Sequence, residues 1–559
     1  MSQAAVSRRA LGRDRAPQAA HDDLRLLLAE VSQYLDQVRA ALAGAEGLEA
    51  GDDLRYKAAY IATLSLVIRN RNFNPRENPS EAARRRGHGL AYISLLLHRL
   101  TLLAHSVFRQ VLHLSRAAFL HDYALDEFFD EIDLGLALIR PALEQRREKQ
   151  VLRLCQVEER LDALYADRFR RLSEELGTGR GRPGDLVTTL MIIHYLERIG
   201  DIILEIGEEM IYIFFGERLK FTQYQALMDG LSAAGLDPGR KTMTFQSIWS
   251  GRSGCRVGVV GTGGSGRTVF KCGPAGKMER ERDNLKTWAA LKPGLTPAVR
   301  AFVPPAREGR EAALILEYVS GRSLRDFFMD PGSSAEAEPA LAGALELMAG
   351  LWRSTRQETP ARAAFARQAE KRLGPARVLF PDLLNFKGAW GGIEIMSIRE
   401  MLSEAVVLEQ DLAAPFTVRI HGDFNLSNIM REEGGAFRFL DLYRSRTSDY
   451  AQDLSVMILS LLRLPKAGAA ARDRLARAAR LVWDFALAFA AENQDPTLEA
   501  RLSFGLARSY LTSARFEARR PGAARLIGYG RRLLETLLAH SLEGRPWPEF
   551  RLDPRTLYI

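Results

Sequence analysis

In the run His421-Gly-Asp-Phe-Asn-Leu-Ser-Asn428, a carboxylate, Asp423, stands five residues before a carboxamide, Asn428. A second carboxylate, Asp441, follows the apolar run Phe437–Leu440. Phosphoryl transfer asks little covalent work of a protein. It needs one carboxylate to orient an acceptor hydroxyl and take its proton, and oxygen ligands to hold Mg²⁺ against phosphates. Asp423 suits the first role; Asn428 and Asp441 suit the second. Upstream, Lys271 in Val269-Phe-Lys-Cys272 is placed to reach α- and β-phosphates, and Glu281 could hold its ammonium extended, with Glu279 the weaker candidate. The glycine-rich turn Ser250-Gly251-Arg252-Ser253-Gly254 would cover those phosphates, because glycine lets backbone N–H groups approach an anion closely.

These groups need elements to position them. Short β-type runs bounded by Gly and Pro cover Thr244–Trp249, Arg256–Val260, Thr268–Cys272, Val299–Val303 and Ala313–Val319, with one helix, Lys277–Leu291, between the third and fourth. The second glycine-rich run, Gly261–Gly266, lies too close to Lys271 to cover phosphates and reads as the turn joining the second and third strands. Past Gly321 the chain is mainly helical except around Val418–Leu442.

The ordered set resembles the aminoglycoside phosphotransferase/choline kinase-like branch of the protein kinase-like fold. His421-Gly-Asp423 replaces the His-Arg-Asp of protein kinases, and Asp441-Leu-Tyr443 replaces Asp-Phe-Gly. Leu314-Ile-Leu-Glu-Tyr-Val-Ser-Gly-Arg-Ser-Leu324 is similar to that branch's hinge and following helix. The resemblance implies that backbone around Glu317–Val319 hydrogen-bonds an adenine, and that Asp453 in Asp449-Tyr-Ala-Gln-Asp-Leu454 braces the catalytic loop. His421 and Asp453 are read as structural. Many members carry a basic residue or His two positions after the catalytic Asp, where this chain has Asn425. The resemblance spans about residues 240–545.

The first 228 residues have another character. Leu24, Leu27, Leu28, Val31, Tyr34, Leu35 and Val38 form one apolar helical stripe, and similar stripes recur to Phe215. Glu197, Asp201 and Glu205, four apart, would stack three carboxylates on one helix face, with Glu158, Glu159 and Asp162 facing them from the preceding helix. Inward carboxylates from neighbouring helices hold oxygen-preferring cations; the bland alternative is an Arg-paired face. Leu196-Glu-Arg-Ile-Gly-Asp201 and Glu159-Arg-Leu-Asp-Ala-Leu-Tyr165 resemble the second repeat of PhoU phosphate-signalling regulators. That likeness implies two three-helix repeats, a metal cluster at Glu197, Asp201, Glu159 and Asp162 holding iron, zinc or manganese, and a phosphate transporter or sensor kinase as partner. In the first repeat His98 and Leu102 stand where the acidic residues would be.

The chain has 559 residues, 47% hydrophobic and 26% charged, which excludes gross disorder. Its net charge of +9 over 78 cations and 69 anions is too diffuse for a nucleic-acid binder. Its 3 cysteines have no CxxC spacing, which excludes a disulfide scaffold. No run of ~18 uncharged apolar residues predicts a membrane span, and a cytoplasmic location is expected. The expected architecture is multidomain: a flexible tail at 1–20, an all-α PhoU-like bundle at 21–228, a linker at 229–240, a two-lobed α+β kinase-like domain with lobes at 241–320 and 321–550, and a tail at 551–559. The expected activity is ATP- and Mg²⁺-dependent phosphoryl transfer to a small-molecule hydroxyl, regulated through the helical part. The rival is a non-catalytic nucleotide-binding adaptor controlling phosphate transport. Oligomerisation stays open.

Overall fold

The computed structural model describes residues 15–44, 50–72, 80–145, 148–236, 243–248, 254–262, 266–305, 311–390, 393–465, 468–517 and 519–553. The chain folds as two compact units, one of residues 1–251 and 256–266, the other of 252–255 and 267–559.

The first unit is built on α1 (Arg15–Leu42), α2 (Ala50–Asn72), α3 (Glu81–Val111), α4 (Asp126–Gln145), α5 (Glu148–Thr178), α6 (Pro183–Phe215) and α7 (Phe221–Ala233). The apolar stripe of α1 predicted from spacing is buried at every position from Leu24 to Val38. Ser80 caps α3 by accepting from the Ala83 amide at 3.1 Å. The central helix α6 opens on Pro183 and stops at Gly216 in the left-handed region, φ +83°. It is apolar on most of its circumference, as a helix packed against α3, α4 and α5 must be. Two glycines on α6 let α5 approach: a methyl on Gly207 would meet Cys155 Sγ at 2.3 Å, and one on Gly200 would meet Leu161 at 2.9 Å. By length and composition α3 could cross a membrane, yet its Leu90, Ile93, Leu96, Leu97 and Leu100 are buried within the bundle.

Three expected boundaries shift. α1 begins at Arg15, inside the segment read as a tail, while residues 1–14 lie outside the described set. α7 runs to Ala233, inside the expected linker, because Leu227 and Leu231, one turn apart, are both fully buried. At the other end Leu552 is buried and its amide donates to Glu499 at 2.8 Å, so the final stretch is docked at least to that point.

The same unit includes an antiparallel pair, β1 (Met243–Ser247) and β2 (Arg256–Thr262), registered from Met243 opposite Thr262 to Ser247 opposite Gly258. Glu217, just past α6, ties this pair to the helices. Its carboxylate accepts from the Ser247 amide at 3.3 Å and the Ser247 hydroxyl at 2.8 Å, and pairs with Arg256 at 3.5 Å.

In the second unit β5 (Glu311–Glu317) pairs antiparallel with both β3 (Arg267–Pro274) and β4 (Val299–Val303). Ala312 to Leu316 are buried without alternation, as a central strand covered on both faces requires. Helix α8 (Ala275–Leu291) packs against these strands, burying Met278, Leu285 and Trp288. Beyond lie β6 (Arg322–Ser323), α9 (Leu324–Met329), α10 (Ser334–Ser354), α11 (Phe365–Arg372), α12 (Gly374–Leu379), α13 (Pro381–Leu384), β7 (Gly388–Trp390), β8 (Ile393–Ile395), α14 (Ile398–Leu408) and β9 (Val418–Ile420). They are followed by β10 (Ile429–Arg431), β11 (Phe437–Phe439), β12 (Arg446–Ser448), α15 (Ala451–Leu462), α16 (Ala469–Glu492), α17 (Leu498–Ser513) and α18 (Arg520–Leu542). Trp352, Tyr450 and Phe489 meet in an aromatic core between α10, α15 and α16. A buried Arg501 on α17 pairs with Asp449 at 2.5 Å and with Asp495, fixing the start of α15.

Candidate active site

Lys271 lies on β3 opposite Leu314, with 7% of its surface exposed. Its ammonium sits 2.6 Å from Glu281 on α8 and 2.6 Å from Asp441. Burial opposes the charge on Lys271, but the two carboxylates outweigh it and raise the group above its ordinary value. Burial likewise pushes Asp441 up, and Lys271 outweighs it, so Asp441 stays below the usual carboxylate range. Glu281, the more enclosed partner, is pushed up by burial. Asp441 has left-handed backbone, φ +60°, a strain of roughly 1–2 kcal/mol for a non-glycine residue.

The catalytic-loop candidate is wound tightly after β9. Gly422 takes φ +83°, and a Cβ there would meet Arg444 O at 2.3 Å, so both backbone and space demand glycine. The Asp453 carboxylate accepts from the His421 and Gly422 amides, each at 2.8 Å, and burial raises it to about 7. These two bonds tie the start of the loop to α15. His421 is fully enclosed, and burial lowers it to about 4. Asn428 donates Nδ2 to Asp423 O at 2.9 Å, which leaves its amide oxygen as the free end. The Asn428 carbonyl accepts from Leu440 N at 2.9 Å, holding the loop beside Asp441. An amide oxygen and a carboxylate form the hard oxygen donor set that Mg²⁺ prefers. Burial raises Asp423, with Arg444 opposing, which suits a carboxylate meant to receive a proton.

Glu317 ends β5, and its carboxylate accepts from Ala298 N at 3.0 Å. Val319, two residues on, is buried. Gly321, φ +137°, then passes within 2.4 Å of Arg431 O as measured from an added Cβ. Ser323 caps α9 in a reciprocal box with Asp326. The hinge exit is thus stitched through β6 to β10, which begins one residue after Asn428. Of the phosphate-covering turn, Ser250, Gly251, Arg252 and Ser253 lie outside the described residues; Gly254 precedes β2 with φ +70°.

Three further residues complete the site and were missed in the sequence. On α8, Asn284 donates to Leu442 O at 2.8 Å and Trp288 Nε1 donates to Ser445 Oγ at 2.7 Å. With Glu281 they share one helix face, at i, i+3 and i+7, a spacing that could have revealed them. The third is Arg444, whose Nη1 lies 3.1 Å from Asp423 Oδ2. A cation thus stands beside the Asp423 carboxylate although Asn425 does not supply one.

The carboxylate stack on α6 is arranged differently from expectation. Asp201 pairs with Arg198 at 2.6 Å, Glu197 with His194 at 3.4 Å, and Glu205 with Arg99 of α3 at 3.1 Å. Glu159 is exposed on α5, while Asp162 comes near enough to help raise Glu197, after burial and Asp201. Among the described residues no three His, Cys, Asp or Glu side chains gather as a metal site. The cluster expected of Glu197, Asp201, Glu159 and Asp162 is therefore not assembled among the described residues: Asp201 is paired with Arg198 and Glu159 faces solvent.

Residues 244–492 match the model of the phosphotransferase enzyme family (APH), and residues 125–210 match that of the PhoU domain. No curated protein matches the chain. Among solved structures it is similar to the phosphate transport system regulatory protein PhoU from Streptococcus pneumoniae, 18% identical over 38% of this chain and 98% of that one, TM-score 0.33. It is also similar to choline kinase LicA from Streptococcus pneumoniae, 13% identical over 56% and 99%, TM-score 0.37. A third is a thermostable mutant of aminoglycoside phosphotransferase APH(4)-Ia in complex with AMP-PNP and hygromycin B, 12% identical over 56% and 97%, TM-score 0.35. The chain carries a PhoU domain followed by a kinase-like domain of the phosphotransferase enzyme family.

Proposed function

We propose that the protein transfers the γ-phosphoryl group of ATP to a hydroxyl of a small molecule, and that the PhoU-like helical part regulates this in response to phosphate status. The observation that carries the reading is Lys271 held 2.6 Å from both Glu281 and Asp441, beside a loop in which Asn428 is bonded to Asp423. Lys271 contacts the α- and β-phosphates, Ser250–Gly254 covers them, and backbone around Glu317–Val319 receives the adenine. Asn428 and Asp441 hold Mg²⁺, which when bound neutralises charge on the phosphate oxygens. Asp423 orients the acceptor hydroxyl. A bond forms between that oxygen and the γ-phosphorus, the bridging bond to the β-phosphate breaks, the hydroxyl proton passes to Asp423, and ADP leaves.

The test is transfer of labelled phosphate from ATP into a metabolite extract by the full chain. Asp423→Asn should keep ATP affinity within about twofold and lower transfer by roughly 10²–10⁴. The second reading, a nucleotide-binding adaptor without turnover, draws on the Arg444–Asp423 pair, which engages the carboxylate that would receive the proton. Nucleotide binding with no transfer to any component of the extract would select it.

A further inference from the structure

Five guanidinium groups from segments far apart in sequence gather near Asp423. Arg372 ends α11, Arg444 follows Asp441 by three residues, Arg446 opens β12, Arg508 lies on α17 and Arg515 in the turn after it. They stand within reach of one another's charge: Arg372 is repelled by Arg444, Arg515 and Arg446, and Arg508 by Arg372, Arg444 and Arg446. Among the described residues, Arg444 alone of the five has an ion pair, the one with Asp423.

Arg508 is the telling member. It is 6% exposed, its Nη2 donates to Ser455 Oγ at 3.1 Å, and among the described residues its Nε has no acceptor. Two carboxylates extend their field to it, Asp423 and Glu409. Asp423 already faces Arg444, and Glu409 is bonded to the Phe365 and Ala366 amides at 2.5 and 2.9 Å. Burial, then the neighbouring guanidiniums, disfavour the charge on Arg508. Arginine does not release its proton in response. The charge therefore stays, enclosed over the Phe365 ring at 5.3 Å and, among the described residues, without an ion pair of its own, which a fold tolerates poorly unless an anion joins it. A wall of forks approaching from several elements suits a tetrahedral dianion better than a planar carboxylate, which one fork can satisfy. The same wall repels a polycation.

We propose that this cluster receives a phosphate group already present on the acceptor, so that the substrate is a hydroxyl-bearing phosphate monoester. The assignment of an acceptor rests on the phosphotransferase reading; the anion site itself does not. The full chain, saturated with AMP-PNP and Mg²⁺, is titrated calorimetrically with inorganic phosphate. One site should appear, and the pair Arg372→Gln and Arg446→Gln, both exposed, should weaken it at least about tenfold while AMP-PNP affinity and the circular-dichroism melt stay unchanged. Arg508→Met, if folded, should do the same. Absence of phosphate binding, or binding indifferent to these variants, overturns the site. Phosphate binding that AMP-PNP displaces also overturns it, since the cluster would then serve the nucleotide. Labelled-ATP transfer is then compared for glucose 6-phosphate and glycerol 3-phosphate against glucose and glycerol. Preference for the esters supports the acceptor class. Transfer equal for ester and neutral compound, or to glucosamine above both, overturns it. If AMP-PNP fails to bind while phosphate still does, the phosphotransferase reading falls and the anion site stands.

Discussion

His421 has an ionisable ring kept neutral by its surroundings, with Trp288, Phe424 and Phe439 at centroid distances of 6.2, 5.8 and 5.8 Å. Burial lowers it to about 4, against ~6.5 in an unfolded chain. Between those values the unfolded chain binds more protons, so stability declines as pH falls from ~6.5 to ~4, by about 3 kcal/mol for this residue. Urea unfolding of the wild type and His421→Asn from pH 7.5 to 4.5 should reveal it. The wild type loses more stability than the variant over that range; parallel curves would refute the assignment. Comparing the two cancels Asp453 and Glu409, which burial raises and whose contributions run the opposite way. At this scale Lys271, Glu281, Asp423, Asn428 and Asp441 were legible as a candidate set, because phosphoryl transfer would restrict both residue type and order, and the fold brings Lys271, Glu281 and Asp441 together. Arg444 and Arg508 were invisible among 78 cations: a positive residue on a solvated face, one beside a carboxylate and one enclosed in the core look alike until the chain is folded.

Helix α8 shows how an element converts packing into the geometry of the candidate site. Its strands and its own extent were readable from Gly and Pro punctuation, since those signals are local. Its partners were not, because Trp288 and Ser445 are 157 residues apart. Ser445 Oγ accepts from Trp288 and donates to Ile420 O at 2.7 Å, so one hydroxyl joins α8, the Asp441 segment and β9. Trp288→Phe and Ser445→Ala should each destabilise the fold by about 1–2 kcal/mol, with a coupling of about 1 kcal/mol in the double variant. Denaturant unfolding of the four proteins closes the cycle; strict additivity would mean the bond contributes nothing. The α6 stack gives the opposite lesson. Its i, i+4 periodicity was legible, and its neutralisation by Arg99 of α3 was not, because cross-helix neighbours depend on rotation within the bundle.

At the scale of the molecule, the family match to the phosphotransferase begins at residue 244, yet β1 and β2 are packed into the compact unit that holds the helices. Glu217 is the visible fastening, through Ser247 and Arg256. If the turn between these strands covers the nucleotide, Glu217→Ala should raise the KM for ATP several-fold, with a smaller change in kcat. Steady-state kinetics decide, and an unchanged KM would detach the helices from nucleotide binding. Inheritance and mechanics thus divide this chain at different places. A splice at the seam of the family match, residue 244, would part Glu217 from the two strands it fastens. Shuffling either half onto another protein at that seam should fail, whereas one that keeps Glu217 with its strands should carry the linkage along.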